Sequence, residues 1–204
     1  RDNYGDIADG CGDTTFVYTY IVNNTEYTWS YTYHVTPEDF VIAEDSITHV
    51  QCIADADVTG FVPPAVTNSC GDIIVPVAQP TENAFDGCNG HITYSWLYAD
   101  CTGSHNNTWS LTYYIQDTIP PSFTVPNDIA ICQNLNGEMD ADTAITGTPT
   151  NISDNCSYND EIQVTYSDLL VSQSESADTL YRTWTVTDSC GNNVTQTQKI
   201  TVNK

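Results

Sequence analysis

Thr28-Trp29-Ser30-Tyr31-Thr32-Tyr33-His34-Val35 alternates a small polar residue or histidine with a large apolar one at almost every step. In an extended chain residues i and i+2 share a face. Trp29, Tyr31, Tyr33 and Val35 therefore line one side of a strand, and Thr28, Ser30, Thr32 and His34 the other. Upstream, Phe16, Tyr18, Tyr20 and Val22 alternate with Val17, Thr19 and Ile21 in the same way. β-branched and aromatic residues in this pattern make half-buried strands.

The pattern repeats. Trp29-Ser30-Tyr31-Thr32-Tyr33 returns as Trp109-Ser110-Leu111-Thr112-Tyr113, and Val50-Gln51-Cys52 as Ala130-Ile131-Cys132. Asn68-Ser69-Cys70 matches Asp154-Asn155-Cys156, and the stretch from Trp96 to Cys101 matches that from Trp184 to Cys190. A fixed period of about 80 residues marks a repeat architecture. The chain divides into half a module (1–38), a whole module (39–121) and a second whole module (122–204). Turn signals such as Thr59-Gly60, Asn89-Gly90 and Cys190-Gly191-Asn192 separate the strands, and no helical stretch of ten or more residues is expected. About 80 residues with some seven short strands suits a sandwich of two sheets. The expected fold class is all-β: tandem immunoglobulin-like β-sandwich modules in an elongated, disulfide-stapled array. Asp117-Thr118-Ile119-Pro120-Pro121 reads as a short linker stiffened by its prolines.

Charge narrows the partners. The 204 residues carry 27 Asp and Glu against four Lys and Arg, a net charge of −23 at pH 7. Nucleic acid is excluded because phosphate binding needs Lys and Arg to displace counterions. Anionic lipid is disfavoured on the same ground, and no apolar run is long enough for membrane insertion. Disorder does not fit 40% hydrophobic residues, 13 Tyr and four Trp. Eight cysteines with no CxxC pair or zinc spacing point to disulfides and an oxidising, extracellular location. With no signal peptide, the sequence reads as a mature chain or an excised fragment of a secreted protein.

The segments Ile129-Ala130-Ile131-Cys132, Asp154-Asn155-Cys156, Asp117-Thr118-Ile119-Pro120-Pro121 and Arg182 to Asn192 resemble the HYR-like (hyalin-repeat-like) modules. Such modules occur in tandem on giant cell-surface adhesins of Bacteroidetes-type bacteria, gliding-motility adhesins among them. The resemblance is strongest over 122–204, good over 39–121 and partial over 1–38. It implies an immunoglobulin-like fold, a structural and adhesive role at the cell surface, neighbouring modules of the same chain as partners, and no catalysis. The alternatives are a subunit of an extracellular filament that self-associates into fibres, and a glycan-binding accessory module of a secreted protein.

Unequal copies of one module suggest a cysteine pairing. Repeat 122–204 keeps Cys132, Cys156 and Cys190 but has Ser176-Ala177 where Cys88 would fall. In the first copy, Asp2-Asn3-Tyr4 and Ile21-Val22-Asn23 replace two cysteine positions together. On that basis Cys70–Cys101 and Cys156–Cys190 are expected pairs, with Cys52–Cys88 as the second bridge of the middle module. Cys11, the counterpart of Cys88, lacks a partner, as does Cys132, the counterpart of Cys52. Truncation and a buried thiol are the plain readings, and an intermolecular bridge is the sharper one.

Candidate chemistry is sparse. His34, His49, His91 and His105 stand in no hydrolase motif. Asp55-Ala56-Asp57 and Asp140-Ala141-Asp142 recur at corresponding places, and alternate loop carboxylates can share calcium, with Asp117 as an added ligand from the linker. Solvated loop acids are the simpler account. Asp13-Thr14-Thr15, Asp45-Ser46-Ile47, Asp117-Thr118-Ile119, Asp142-Thr143-Ala144 and Asp178-Thr179-Leu180 resemble the O-glycosylation sequon of Bacteroidetes-type surface proteins. The expected acceptors are Thr14, Ser46, Thr118, Thr143 and Thr179. Trp29, Trp96, Trp109 and Trp184 recur at module positions, and core packing explains them better than a sugar-stacking platform.

Overall fold

The structure, a computed structural model, describes residues 12–35, 40–68, 71–100, 103, 105–172 and 174–204, with backbone alone at 12–14 and 34–35. It is all-β, as the alternating pattern predicts. The one α-helical turn among the described residues, α1 (Thr143–Thr146), starts on Asp142, whose side chain accepts the N–H of Ala144.

The stretch that opens the sequence argument forms β2 (Thr25–Val35), which pairs antiparallel with β1 (Gly12–Val22). Asn23 and Asn24 close this hairpin at φ of 49° and 64°. Two consecutive left-handed residues give a turn whose twist matches the strands, which is why asparagines stand there. The register sets Phe16 opposite Tyr31, Tyr18 opposite Trp29 and Tyr20 opposite Tyr27, so the aromatics share one face. Tyr18–Trp29 and Tyr20–Tyr27 ring centroids lie 5.4 and 5.5 Å apart. That face is exposed: Trp29 keeps 56% of its surface, against 3% for its repeat counterpart Trp109. Trp29 is therefore not a core residue here, because its hairpin is a sheet of two strands, too thin to enclose it.

Residues from 46 onward give β3 (Ser46–Val50), β4 (Val66–Thr67), β5 (Ile73–Ile74), β6 (Val77–Ala78), β7 (Glu82–Asn83), β8 (Asn89–Ala99) and β9 (Asn106–Gln116). One sheet runs β3-β9-β8-β6, with β7 also on β8, and β4 pairs with β5 separately. Val66, Ile74, Tyr98, Trp109 and Leu111 form the buried cluster, with Phe40, Val58 and Trp96 packed against it. Phe61 stacks on Trp109 at 5.8 Å and meets Trp96 at 5.5 Å. The two polar groups in this core are satisfied: Tyr98 donates to Pro64 O at 2.7 Å and Trp109 Nε1 to Glu44 O at 2.8 Å.

Residues 122–204 hold β10 (Ser122–Thr124), β11 (Ile129–Cys132), β12 (Thr150–Ser153), β13 (Gln163–Ser172), β14 (Ala177–Thr187) and β15 (Asn193–Asn203). Their two sheets are β11-β15-β14-β13 and β10-β12. Phe123, Trp184 and Val186, with Ile152 and Val194 against them, fill the space between, so this is a β-sandwich. β11 joins the large sheet parallel to β15, pairing Ile129 with Ile200. Inside lies Arg182, 2% exposed, in a protein with four basic residues. Its fork grips Asp168 at 2.8 and 2.7 Å, and it also donates to Thr146 Oγ1 and Ala141 O at 2.8 Å. It stands 4.2 Å over the Tyr166 ring.

By contacts the chain forms two compact units. One comprises residues 1–48, 58–83 and 92–113, the other 49–57, 84–91 and 114–204.

Candidate functional site: the paired disulfides

Two disulfides are the dominant chemical feature of the second unit. Cys52 bonds Cys156 with a Cα–Cα distance of 5.1 Å, and Cys88 bonds Cys190 at 5.4 Å. These bonds correct two expected pairs: Cys156 is not bonded to Cys190, nor Cys52 to Cys88. Cys70 and Cys101, the third expected pair, lie outside the described residues, as does Cys11. The turns holding Cys156 and Cys190 do meet, but through Ser157 Oγ and Ser189 Oγ at 2.7 Å. Each of those cysteines instead bonds one 104 or 102 residues earlier in the chain. Cys132, the counterpart of Cys52, is an exposed free thiol rather than a buried one.

Local sequence prepares three of the four half-cystines in the same way. Asp86 Oδ1 accepts the N–H of Cys88 at 2.9 Å and of Asn89 at 2.7 Å. Asp154 Oδ2 accepts from Cys156 at 2.9 Å and Ser157 at 2.8 Å. Asp188 Oδ1 accepts from Cys190 at 2.9 Å and Asn192 at 2.8 Å. An aspartate two residues before the cysteine thus folds an Asx turn that presents the sulfur. The two N–H bonds hold the Asp86 carboxyl below its ordinary value. Asp-x-Cys is a signal the sequence displays, and Asp9-Gly10-Cys11 shares it.

The linker is tied into this region. Thr118 donates its N–H and its Oγ1 to Gln51 Oε1 at 2.9 and 3.2 Å. Asp117 N–H donates to Cys88 O, and Asn192 Nδ2 donates to Asp117 O, both at 3.3 Å. Asp117 is 7% exposed. Burial pushes its carboxyl above the ordinary value; the Ile119 N–H opposes this, and the Asp154 and Asp188 charges add to it.

Of the other expected metal ligands, Asp140 and Asp142 spend an oxygen each on the helix start, accepting from Asp142 N–H at 3.2 Å and Ala144 N–H at 2.8 Å. Asp55 sits in a single 3-10 turn, Ile53–Asp55, and neither it nor Asp57 joins a metal-type cluster among the described residues. Among the expected glycan acceptors Thr118 is exposed, Ser46 and Thr143 are half-buried, and Thr14 lies outside the described side chains. Thr179 is 3% exposed within β14, on the face opposite Leu180 and Trp184, and that burial removes it as an acceptor in the folded chain. Nearby, a cleft of about 610 Å³ is lined by His49, His91, Tyr114, Gln51 and Thr118, with the His49 ring stacked on Tyr114 at 5.4 Å.

Together the fold and these bonds define an all-β protein with a β-sandwich, whose two disulfides join cysteines 104 and 102 residues apart. Residues 40–115 match the family model described as an HYR-like domain with 4 cysteines, and that stretch contains Cys52, Cys70, Cys88 and Cys101. No curated protein matches the sequence. Solved structures with a similar course include PcdhgB3 EC1-4, at 11% identity and TM-score 0.35, covering 100% of this chain and 60% of that one. The protocadherin GammaB4 extracellular domain is similar at 13% identity and TM-score 0.36, covering 96% and 38%. Mouse clustered PcdhgC3 EC1-3 follows at 11% and 0.33, covering 96% and 78%. The chain thus spans less than two thirds of the first two. No helix among the described residues is long and apolar enough to cross a membrane.

Proposed function

We propose that this chain is a segment of an extracellular, cell-surface stalk or adhesin, in which each repeat is bonded to the next by disulfides. The role is mechanical and adhesive, serving surface attachment or gliding, with no catalytic step. The observation that carries it is the pairing itself: Cys52–Cys156 and Cys88–Cys190 span 104 and 102 residues, so that with repeat bounds of 39–121 and 122–204 each bond would tie one repeat to the next. Two covalent ties beside the peptide linker give a tandem chain a load path that does not depend on any core staying folded. The acidic surface fits this role, since self-repulsion keeps repeats soluble and discourages strand edges from pairing.

The same register gives the exposed thiol of Cys132 a role, since it is matched to the Cys156 position of an adjoining repeat. The test appends a second copy of residues 122–204 after Lys204 and maps disulfides under non-reducing conditions. Cys132 is expected to bond Cys156 of the appended copy, with two electrons and two protons passing to an added glutathione disulfide. The appended copy's Cys190 is expected to stay alkylatable, because Ser176-Ala177 offers it no cysteine. A Cys132 that remains free in the extended chain overturns the reading.

The cleft at His49, His91 and Tyr114 supports glycan binding as a second reading, since stacked rings beside amide and hydroxyl groups suit a sugar face. A glycan array probed with wild type and Tyr114→Ala checks it. Binding that survives the substitution refutes this site.

A further inference from the structure

Beside the Cys52–Cys156 bond two carboxylates approach each other, each with one oxygen unpartnered. Asp117 Oδ2 and Asp154 Oδ1 are both buried and accept no hydrogen bond. The ligand atoms of Asp117, Asp154 and Cys156 lie within 4.8 Å of one another. Neither carboxylate is free to turn away. Asp117 Oδ1 accepts the Ile119 N–H at 3.2 Å, and Asp154 Oδ2 is held by the Cys156 and Ser157 N–H groups. Asp188, 5% exposed, adds a third negative charge to the same neighbourhood.

Buried charges of one sign stay together only where a cation or a proton compensates them. Among the described residues no ion pair reaches these carboxylates: Arg182 is committed to Asp168, and Lys204 to Asp178 at 2.9 Å. The sulfur of Cys156 is spent in its disulfide, so it offers no thiolate, which removes zinc and other thiophilic metals. What remains is an all-oxygen donor set.

We propose that Asp117 Oδ2 and Asp154 Oδ1 form a binding site for a hard divalent cation, calcium by preference, with water completing the shell. Calcium is preferred over magnesium because it accepts irregular oxygen sets, whereas magnesium demands near-octahedral geometry and gives up water reluctantly. Two carboxylates place the expected affinity on the order of 10⁻⁴ to 10⁻³ M, in the range of extracellular modules. This relocates the expected calcium ligands: Asp117 stays, Asp154 joins, and Asp55, Asp57, Asp140 and Asp142 fall away.

The test uses the whole chain, stripped with chelator and dialysed. Calorimetric titration with calcium chloride is expected to show one saturable site, with magnesium at least tenfold weaker. Asp117→Asn and Asp154→Asn keep the anchoring oxygen and remove the charge, and each is expected to weaken calcium binding at least tenfold. Without metal each variant should melt above wild type, because it relieves repulsion; with calcium the order should reverse. A purely structural role for Asp117 would lower melting in both conditions. No saturable binding up to 10 mM calcium would show that a proton compensates the pair and would overturn the proposal. So would variants that bind as tightly as wild type. If one variant fails to fold, the other together with the wild-type stoichiometry still decides.

Discussion

Removing Cys88–Cys190 by Cys88→Ser/Cys190→Ser should cost about 4 kcal/mol of unfolding free energy. The bond closes a span of 102 residues, for which the chain-entropy relation gives about 4.7 kcal/mol. With Cys52–Cys156 intact the closed ring is shorter, running through 52–88 and 156–190. At about 70 residues, that lowers the figure to about 4.4 kcal/mol. Denaturant titration followed by tryptophan fluorescence reads the effect, because Trp184 is 3% exposed in the sandwich that both bonds enter. Combinations of serines then report connectivity. Cys88→Ser alone should cost as much as the pair, since either change breaks the same bond. Cys156→Ser/Cys190→Ser breaks two bonds and should cost nearly twice as much. If that variant is no less stable than Cys156→Ser alone, the two cysteines are bonded to each other and the inter-repeat pairing is wrong.

Arg182→Met should destabilise by about 3 kcal/mol, because it leaves Asp168, Thr146 and Ala141 without their donor. Arg182→Lys should lose part of that, since an ammonium cannot reproduce the fork; thermal unfolding measures both. Burial holds the Tyr98 hydroxyl above the ordinary tyrosine value. The raised group favours folding fully below the unfolded value near 10, and that share is lost as pH climbs through the folded value. Alkaline melting curves should therefore fall more steeply for wild type than for Tyr98→Phe, and equal slopes would refute this. Under tension, reduction should release the chain spanned by Cys52–Cys156, adding about 350 Å of contour for its 104 residues. Single-molecule extension with and without reductant checks that length.

Strands were legible because their side-chain period is local. Trp109, Leu111 and Ile115 are buried along β9 while Gln116 is exposed, as the alternation requires. Trp109 and Trp184 entered cores as their repeat positions predict. Trp29 did not, because burial depends on a second sheet that a hairpin's own sequence does not encode. Asp142 and Asp140 show the opposite limit. Alternate acids look alike whether they cap a helix or bind a cation, and only the position of a neighbouring N–H separates the two. Asp154 was missed as a ligand because the residue it faces, Asp117, is 37 positions away in sequence.

The cysteines failed for a different reason, one of symmetry. In a periodic chain a cysteine type recurs once per repeat, so pairing within a repeat and pairing with the next use the same types. Losses in one copy cannot separate the two schemes, because the missing partner can belong to either copy. Parity cannot separate them either. Residues 122–204 hold three cysteines, Cys132, Cys156 and Cys190, and one internal pair plus a free thiol satisfies that count as well as two bonds to earlier cysteines do. Geometry separates them: Cys156 and Cys190 bond Cys52 and Cys88, and Cys132 is left exposed and free. Such a long-range pairing is fixed by where the Asx turns place the sulfurs, which no count of cysteine types records.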